Sequence, residues 1–229
     1  MQRSSSSVAE NVAAVRAKIA AACERAGRDD SEVTLVAVGK TVEVEALRWM
    51  VEAGVSDLAE NYVRELRAKH DAVPNVRWHF VGTLQASGAH HVARLADVVQ
   101  TVVPGAGADR LARRAAERGR TLPCLIEVDF TGERTGVDPD AIVEAADSVS
   151  RLEGLALVGL MTVPPLDPDP EAARPVFRRL RALGERVREG HPDAVELSMG
   201  MSLDYEVAVE EGATMLRVGT ALYGTRSTP

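Results

Sequence analysis

Val33-Thr34-Leu35-Val36-Ala37-Val38-Gly39-Lys40 is a seven-residue, almost wholly apolar run closed by a lysine. Its length and β-branched content read as a buried strand whose last residue meets solvent. Seven further short apolar runs follow, at 57–60, 77–82, 97–103, 122–129, 155–163, 194–198 and 215–219. Amphipathic segments lie between them at 42–53, 62–72, 86–95, 108–118, 139–151, 171–190 and 204–211, several stopped by a glycine such as Gly54, Gly190 or Gly212. Strands alternating with helices imply βαβ units and a parallel sheet. Eight such units in about 190 residues suit an α/β chain closed into a single (β/α)8 TIM barrel. Residues 7–27 supply an extra N-terminal helix, with Val8, Val12, Val15, Ile19 and Cys23 at helical spacing. A doubly wound open sheet is the alternative, but the first βα turn, Val38-Gly39-Lys40-Thr41, lacks the G-x-G-x-x-G pattern. The whole chain, 1–229, is expected to be one domain, with residues 1–6 flexible.

Composition narrows the function classes. Hydrophobic residues make up 45% and charged residues 27%, the balance of a globular protein with a sizeable core. Aromatics are only 3%, so Val, Leu and Ala must build that core, and a stacking platform for single-stranded nucleic acid is not expected. The net charge of −7 and the absence of an isolated basic stripe argue against a nucleic-acid partner. No apolar h-region follows the polar start and no run of about 18 apolar residues occurs, so neither a signal peptide nor a membrane span is expected. Two distant cysteines, Cys23 and Cys124, make no disulfide framework, and a cytoplasmic location is the simplest reading.

Active groups of a barrel sit at the C-terminal ends of its strands. Strand one delivers Lys40 there. A lysine losing hydration at that mouth could attack an aldehyde as a neutral amine, whereas most strand-terminal lysines simply reach for water. Strand two delivers Glu60 and Asn61, strand seven Ser198-Met199-Gly200-Met201-Ser202, and strand eight Arg217-Val218-Gly219-Thr220. Barrels often bind phosphate with the loops after strands seven and eight. Ser198, Gly200, Ser202, Gly219 and Thr220 have the small, donor-rich composition such a cradle needs. Arg217 lies inside an apolar run and needs a partner, either a barrel carboxylate or a ligand. Against a pyridine nitrogen it would keep that nitrogen unprotonated, because guanidinium offers no acceptor. His79 reads as a satisfied interior histidine. His90 and His91 are adjacent and cannot form an i, i+4 metal pair. H-E-x-x-H, C-x-x-C and Gly-x-Ser-x-Gly are all missing, so neither a metal site nor a nucleophile elbow is expected.

Taken in order, Leu35-Val36-Ala37-Val38-Gly39-Lys40, Glu60-Asn61-Tyr62-Val63-Arg64-Glu65, Trp78-His79-Phe80-Val81-Gly82, Gly159-Leu160-Met161, Leu197 to Asp204 and Arg217 to Gly224 resemble the pyridoxal phosphate homeostasis protein family. The resemblance spans nearly the whole chain. It implies the alanine racemase N-terminal-domain barrel of fold-type III and pyridoxal 5′-phosphate (PLP) as cofactor. It further implies Lys40 as the Schiff-base lysine, Asn61 as a pocket residue, Ser198, Ser202, Gly219 and Thr220 around the phosphate, Met199 as a further cofactor-binding residue, and Arg217 near the pyridine nitrogen. Four positions depart from the family pattern. Gly39 stands for the usual serine, Ala59 for a glycine, Ala86-Ser87-Gly88 for a segment carrying Asn-Lys, and Arg134 for a lysine. The two lost lysines put a second, weaker anion site in question.

Three readings follow. The first is a PLP carrier in cofactor homeostasis without turnover, with PLP and apo PLP-dependent enzymes as partners. The second is a small PLP-dependent amino-acid racemase, and the third a barrel enzyme acting on a phosphorylated sugar. Alanine racemases take a second acid/base, a tyrosine, from a C-terminal β-domain. Tyr62, Tyr205 and Tyr223 do not match it, and the expected lack of that domain favours the carrier, a monomer rather than a dimer, with no catalytic residues. The sugar-phosphate reading lacks a convincing acid/base pair near the phosphate.

Overall fold

The computed structural model describes residues 4–224. Its strands are β1 (Thr34–Val38), β2 (Asp57–Glu60), β3 (Arg77–Phe80), β4 (Val98–Val102), β5 (Leu122–Val128), β6 (Leu155–Thr162), β7 (Glu196–Ser198) and β8 (Met215–Val218). They form one closed parallel barrel in sequence order. The seam closes with Val36 beside Arg217, and β1 pairs on its other edge with β2, Val38 beside Ala59. The strand leading to Lys40 therefore lies between the strand leading to Asn61 and the strand carrying Arg217.

The helices are α1 (Ser5–Ala26), α2 (Val44–Glu52), α3 (Val63–Lys69), α4 (Ala89–Leu95), α5 (Ala106–Ala116), α6 (Ile142–Ser150), α7 (Arg174–Gly190), α8 (Tyr205–Glu210) and α9 (Thr220–Tyr223). The serine-rich start is where expectation and structure differ. Residues 1–3 lie outside the described residues. Ser4, however, caps α1, its side chain accepting from the Ser7 amide while the Ser7 side chain accepts from the Ser4 amide. Ser5 and Ser6 thus belong to the helix, which begins two residues before the expected start at Ser7. Its end is as the sequence indicates: Gly27 takes φ +66°, a left-handed cap that glycine adopts without strain.

The main core lies between strands and helices and is built chiefly of Val, Leu and Ala, with Trp78, Phe80 and Phe177 among its largest fully buried side chains. The α1 stripe Val8, Val12, Val15, Ile19 and Cys23 joins it. A smaller cluster of Val98, Leu125 and Met161 stands apart. Leu125 alternates with Cys124 and Ile126 of the main core, which puts this cluster on the inward face of the strands. Both cysteines are free and buried, and burial alone pushes the Cys124 thiol up to about 12. No described helix is long and apolar enough to cross a membrane, and no group of three or more His, Cys, Asp or Glu among the described residues is placed to hold a metal ion.

Candidate functional site

A cavity of about 510 Å³ opens at the C-terminal mouth of the barrel. Lys40, Asn61, Ser202, Arg217, Gly219 and Thr220 all line it, brought together from β1, β2, β8 and the segment after β7. Lys40 stands two residues beyond the end of β1 and is exposed. Its place in the site thus rests on position at the mouth and not on burial. Asn61 follows β2 directly, and its Oδ1 is buried without a hydrogen-bond partner.

The donor-rich corner is formed by one hydroxyl and two amides. Ser202 Oγ accepts from the backbone N–H groups of Gly219 and Ala221, both at 3.2 Å. The turn that brings Ser202 there depends on Gly200. That residue sits at φ +92°, where a Cβ would fall 2.5 Å from Ala208 Cβ. Asp204 secures the same turn by accepting from the Met201 amide at 2.5 Å.

Two expected members are elsewhere. Ser198 and Met199 are fully buried and do not line the cavity. Ser198 closes β7 with its side chain pointing into the barrel. Its hydroxyl accepts from Arg217 Nη1 at 2.5 Å and donates to Gln100 Oε1 at 2.7 Å, so it has no donor left for a ligand. Met199 directs its side chain into the main core. Neither side chain therefore faces the cavity: Ser198 holds Arg217, and Met199 packs.

Arg217 is buried, and its hydrogen bonds go to Ser198 and, at 2.7 Å, to the Thr162 carbonyl. Burial pushes its guanidinium down to about 10, opposed by Glu127 and Asp204, so it remains a cation at neutral pH. The chain of bonds runs on behind it. Gln100 uses its oxygen on Ser198, so its amide nitrogen donates to His79 Nδ1 at 2.8 Å. His79 must then donate from Nε2 to Asp57 Oδ1 at 2.9 Å. Burial holds His79 below its ordinary value, which agrees with the neutral ring this pattern requires. Burial would raise Asp57, but the bonds from His79 and Ser56 outweigh it and hold the carboxyl below its usual range. Every donor in this chain points from the Arg217 cation toward the Asp57 anion.

The family profile of the alanine racemase N-terminal domain matches residues 11–227. The pyridoxal phosphate homeostasis protein of Aquifex aeolicus (strain VF5) is 37% identical over 222 residues, covering 95% of this chain and 97% of that one. The pyridoxal phosphate homeostasis protein of Vibrio cholerae (serotype O1, El Tor Inaba N16961) is 36% identical over 228 residues, covering 96% and 97%. Among solved structures, PipY of Synechococcus elongatus PCC7942 with PLP bound superposes with a TM-score of 0.83 at 32% identity, covering 95% of this chain and all of that one. The chain belongs to the pyridoxal phosphate homeostasis protein family. The expected (β/α)8 barrel with its extra N-terminal helix is likewise what the structure shows.

The cavity of this family member suits the cofactor of that name. Ser202, which accepts from two amides and keeps its own hydroxyl proton to donate, and Thr220 would be the donors for a phosphate. Arg217 supplies a cation with no acceptor for a ring nitrogen, Asn61 has an unused acceptor at the wall, and Lys40 brings the primary amine that an aldehyde requires.

Sequence reasoning overlooked a buried ionic cluster beneath Lys40. Lys69, at the end of α3, pairs with Glu60 Oε1 at 2.8 Å and Glu65 Oε2 at 2.7 Å. The i, i+4 spacing of Glu65 and Lys69 was visible, but such pairs usually lie on solvated helix faces. The cluster also explains one family departure. A Cβ at Gly39 would lie 2.8 Å from both Glu60 Oε1 and Leu47 Cδ2, so a serine there would have to displace both.

Burial pushes the Glu60 carboxyl up to about 7, against the pull of Lys69 and with repulsion from Glu65. Between its ordinary value of 4.5 and about 7, folded Glu60 keeps a proton that the unfolded chain has released. Its contribution to stability therefore falls as pH rises through that window. Glu60→Gln should remove this component. The unfolding free energy of the native protein relative to the variant should drop by up to about 3 kcal/mol across the window, measured by urea denaturation at a series of pH values. Parallel pH profiles for the two proteins would contradict the assignment.

Proposed function

We propose that this protein binds PLP as a Schiff base on Nζ of Lys40 and serves in PLP homeostasis by carrying and releasing the cofactor without turnover. The observation that carries this reading is the convergence of Lys40, Arg217 and the Ser202–Gly219–Thr220 corner on one cavity. When bound, the cofactor supplies an aldehyde that reacts reversibly with amines. The protein's own groups would divide the remaining work. The Ser202 hydroxyl, fixed by the Gly219 and Ala221 amides, and Thr220 bind the phosphate, while Arg217, held by Ser198 and Thr162, fixes the ring and keeps its nitrogen unprotonated. Lys40 is exposed, so water and free amines reach the attachment point. That openness suits release better than retention of a reacting substrate. The homeostasis role named for the Aquifex and Vibrio relatives, and the PLP bound in PipY, support the same reading.

On this reading the chain works as one domain and as a monomer in the cytoplasm, passing PLP to apo-enzymes and engaging neither nucleic acid nor membrane. The net charge of −7 disfavours polyanionic partners. Ser202→Ala should weaken PLP binding by roughly tenfold to a hundredfold, the worth of one charge-assisted hydrogen bond, in an absorbance titration. Binding of unphosphorylated pyridoxal should not change. Equal losses for both ligands would remove Ser202 from the phosphate site. Sustained racemisation of alanine by the purified protein would overturn the carrier role.

A further inference from the structure

Lys69 is an expensive residue to bury. It is 6% exposed, and its ammonium uses all three donors on Gly39 O at 2.8 Å, Glu60 Oε1 at 2.8 Å and Glu65 Oε2 at 2.7 Å. A buried ion cluster seldom stabilises a fold more than apolar side chains of the same volume would, because its charges must leave water. An apolar core at this place could hold α3 against the barrel equally well. It could not bind backbone polar groups, and that is what this cluster does on both sides of Lys40.

The carbonyl of Gly39, the residue before Lys40, accepts from Lys69. The amide of Thr41, the residue after it, donates to Glu65 Oε2 at 2.7 Å. The same carboxylate oxygen accepts from Lys69, so the Lys69–Glu65 pair grips the chain immediately before and after Lys40. Thr41 also needs holding. Its φ is +62°, in the left-handed region that a β-branched residue enters only at a cost. The Glu65 bond to its amide offsets that cost. Gly39 is anchored further by its own amide, which donates to Ala59 O at 2.8 Å.

We propose that Lys69, acting through Gly39 and through Glu65 on Thr41, is the positioning residue that aims Lys40 into the cavity. The proposal rests on Lys40 being the residue that takes the cofactor, but the placement of the 39–41 backbone can be tested without cofactor.

The experiment uses the full chain with Lys69→Met, which keeps the length of the side chain and removes the charge. It also uses Glu65→Ala, a partly buried position whose loss leaves the Lys69–Glu60 pair, and Glu65→Gln, which keeps an acceptor for Thr41. The first readout is amide hydrogen exchange at Thr41 in cofactor-free protein, and the second is the rate at which added PLP develops its visible band. In Glu65→Ala and Lys69→Met, Thr41 exchange should rise by roughly tenfold or more, and the PLP rate should fall by a similar factor. Amides of β1 should keep their protection, and Glu65→Gln should recover most of both losses. Unchanged Thr41 exchange in Glu65→Ala overturns the proposal even if Lys69→Met fails to fold. Faster Thr41 exchange with an unchanged PLP rate overturns it too, since the backbone would then be held without consequence for Lys40. If PLP binds equally to Lys40→Ala, the binding role of Lys40 fails and the proposal with it, whereas the exchange result still reports whether the cluster holds the loop.

Discussion

Lys40→Ala is expected to abolish the visible band, roughly 420 nm for a protonated imine, that PLP develops on the native protein. Dialysis should then strip the cofactor completely. Residual binding should persist, because the phosphate corner at Ser202 and the Arg217 cation do not depend on Lys40. The stability of the variant should stay within about 0.5 kcal/mol of native, since an exposed side chain leaves no cavity and no orphaned partner. Lys40→Arg separates charge from chemistry, keeping a cation at the mouth without a primary amine. It should be as colourless as the alanine variant while holding PLP non-covalently more tightly. A Lys40→Ala protein with the native spectrum would place the reacting amine elsewhere.

Arg217→Met is expected to have the largest effect on stability. Its removal leaves Thr162 O and the Ser198 hydroxyl without their buried donor and takes the cation away from Glu127 and Asp204. Breaking one partner out of a buried charged network costs about 3–5 kcal/mol, which for a barrel of this size lowers the melting temperature by roughly 10 °C. Because each donor in the interior chain fixes the next, the change should reach His79, whose ring proton would no longer be dictated by Gln100. A histidine ring NMR signal reads that directly. Arg217→Lys should recover part of the stability, since it restores charge but cannot serve Ser198 and Thr162 with a planar fork. A loss below about 1 kcal/mol for Arg217→Met would show that the network is not built around the arginine.

Much of this was legible because strand and helix periods differ. The alternation of short apolar runs with 3.6-residue patterns located all eight strands, and barrel topology then predicted which ends share a mouth. Lys40, Asn61, Ser202, Arg217, Gly219 and Thr220 came together on that basis. That Ser198 and Met199 lie outside the cavity lining was not legible, because composition says nothing about facing. A serine ending a three-residue strand can look into the barrel or out at the mouth, and here Arg217 and Gln100 claim it. The four-residue helix α9 is too short to show a period. The capping box at Ser4 hid in a serine run that looked featureless. Lys69 ends a helix, where a lysine is ordinarily solvated, and only the three-dimensional approach of Gly39 and Glu60 reveals its burial.

The account stands most directly on where the cofactor attaches. Borohydride reduction of the PLP-loaded protein, followed by proteolysis and mass spectrometry, fixes the attachment in place. A single reduced pyridoxyl phosphate on the peptide containing Lys40, absent when reduction is omitted, is the expected result. Label found on exposed Lys18 or on buried Lys69, with none enriched at Lys40, would contradict it.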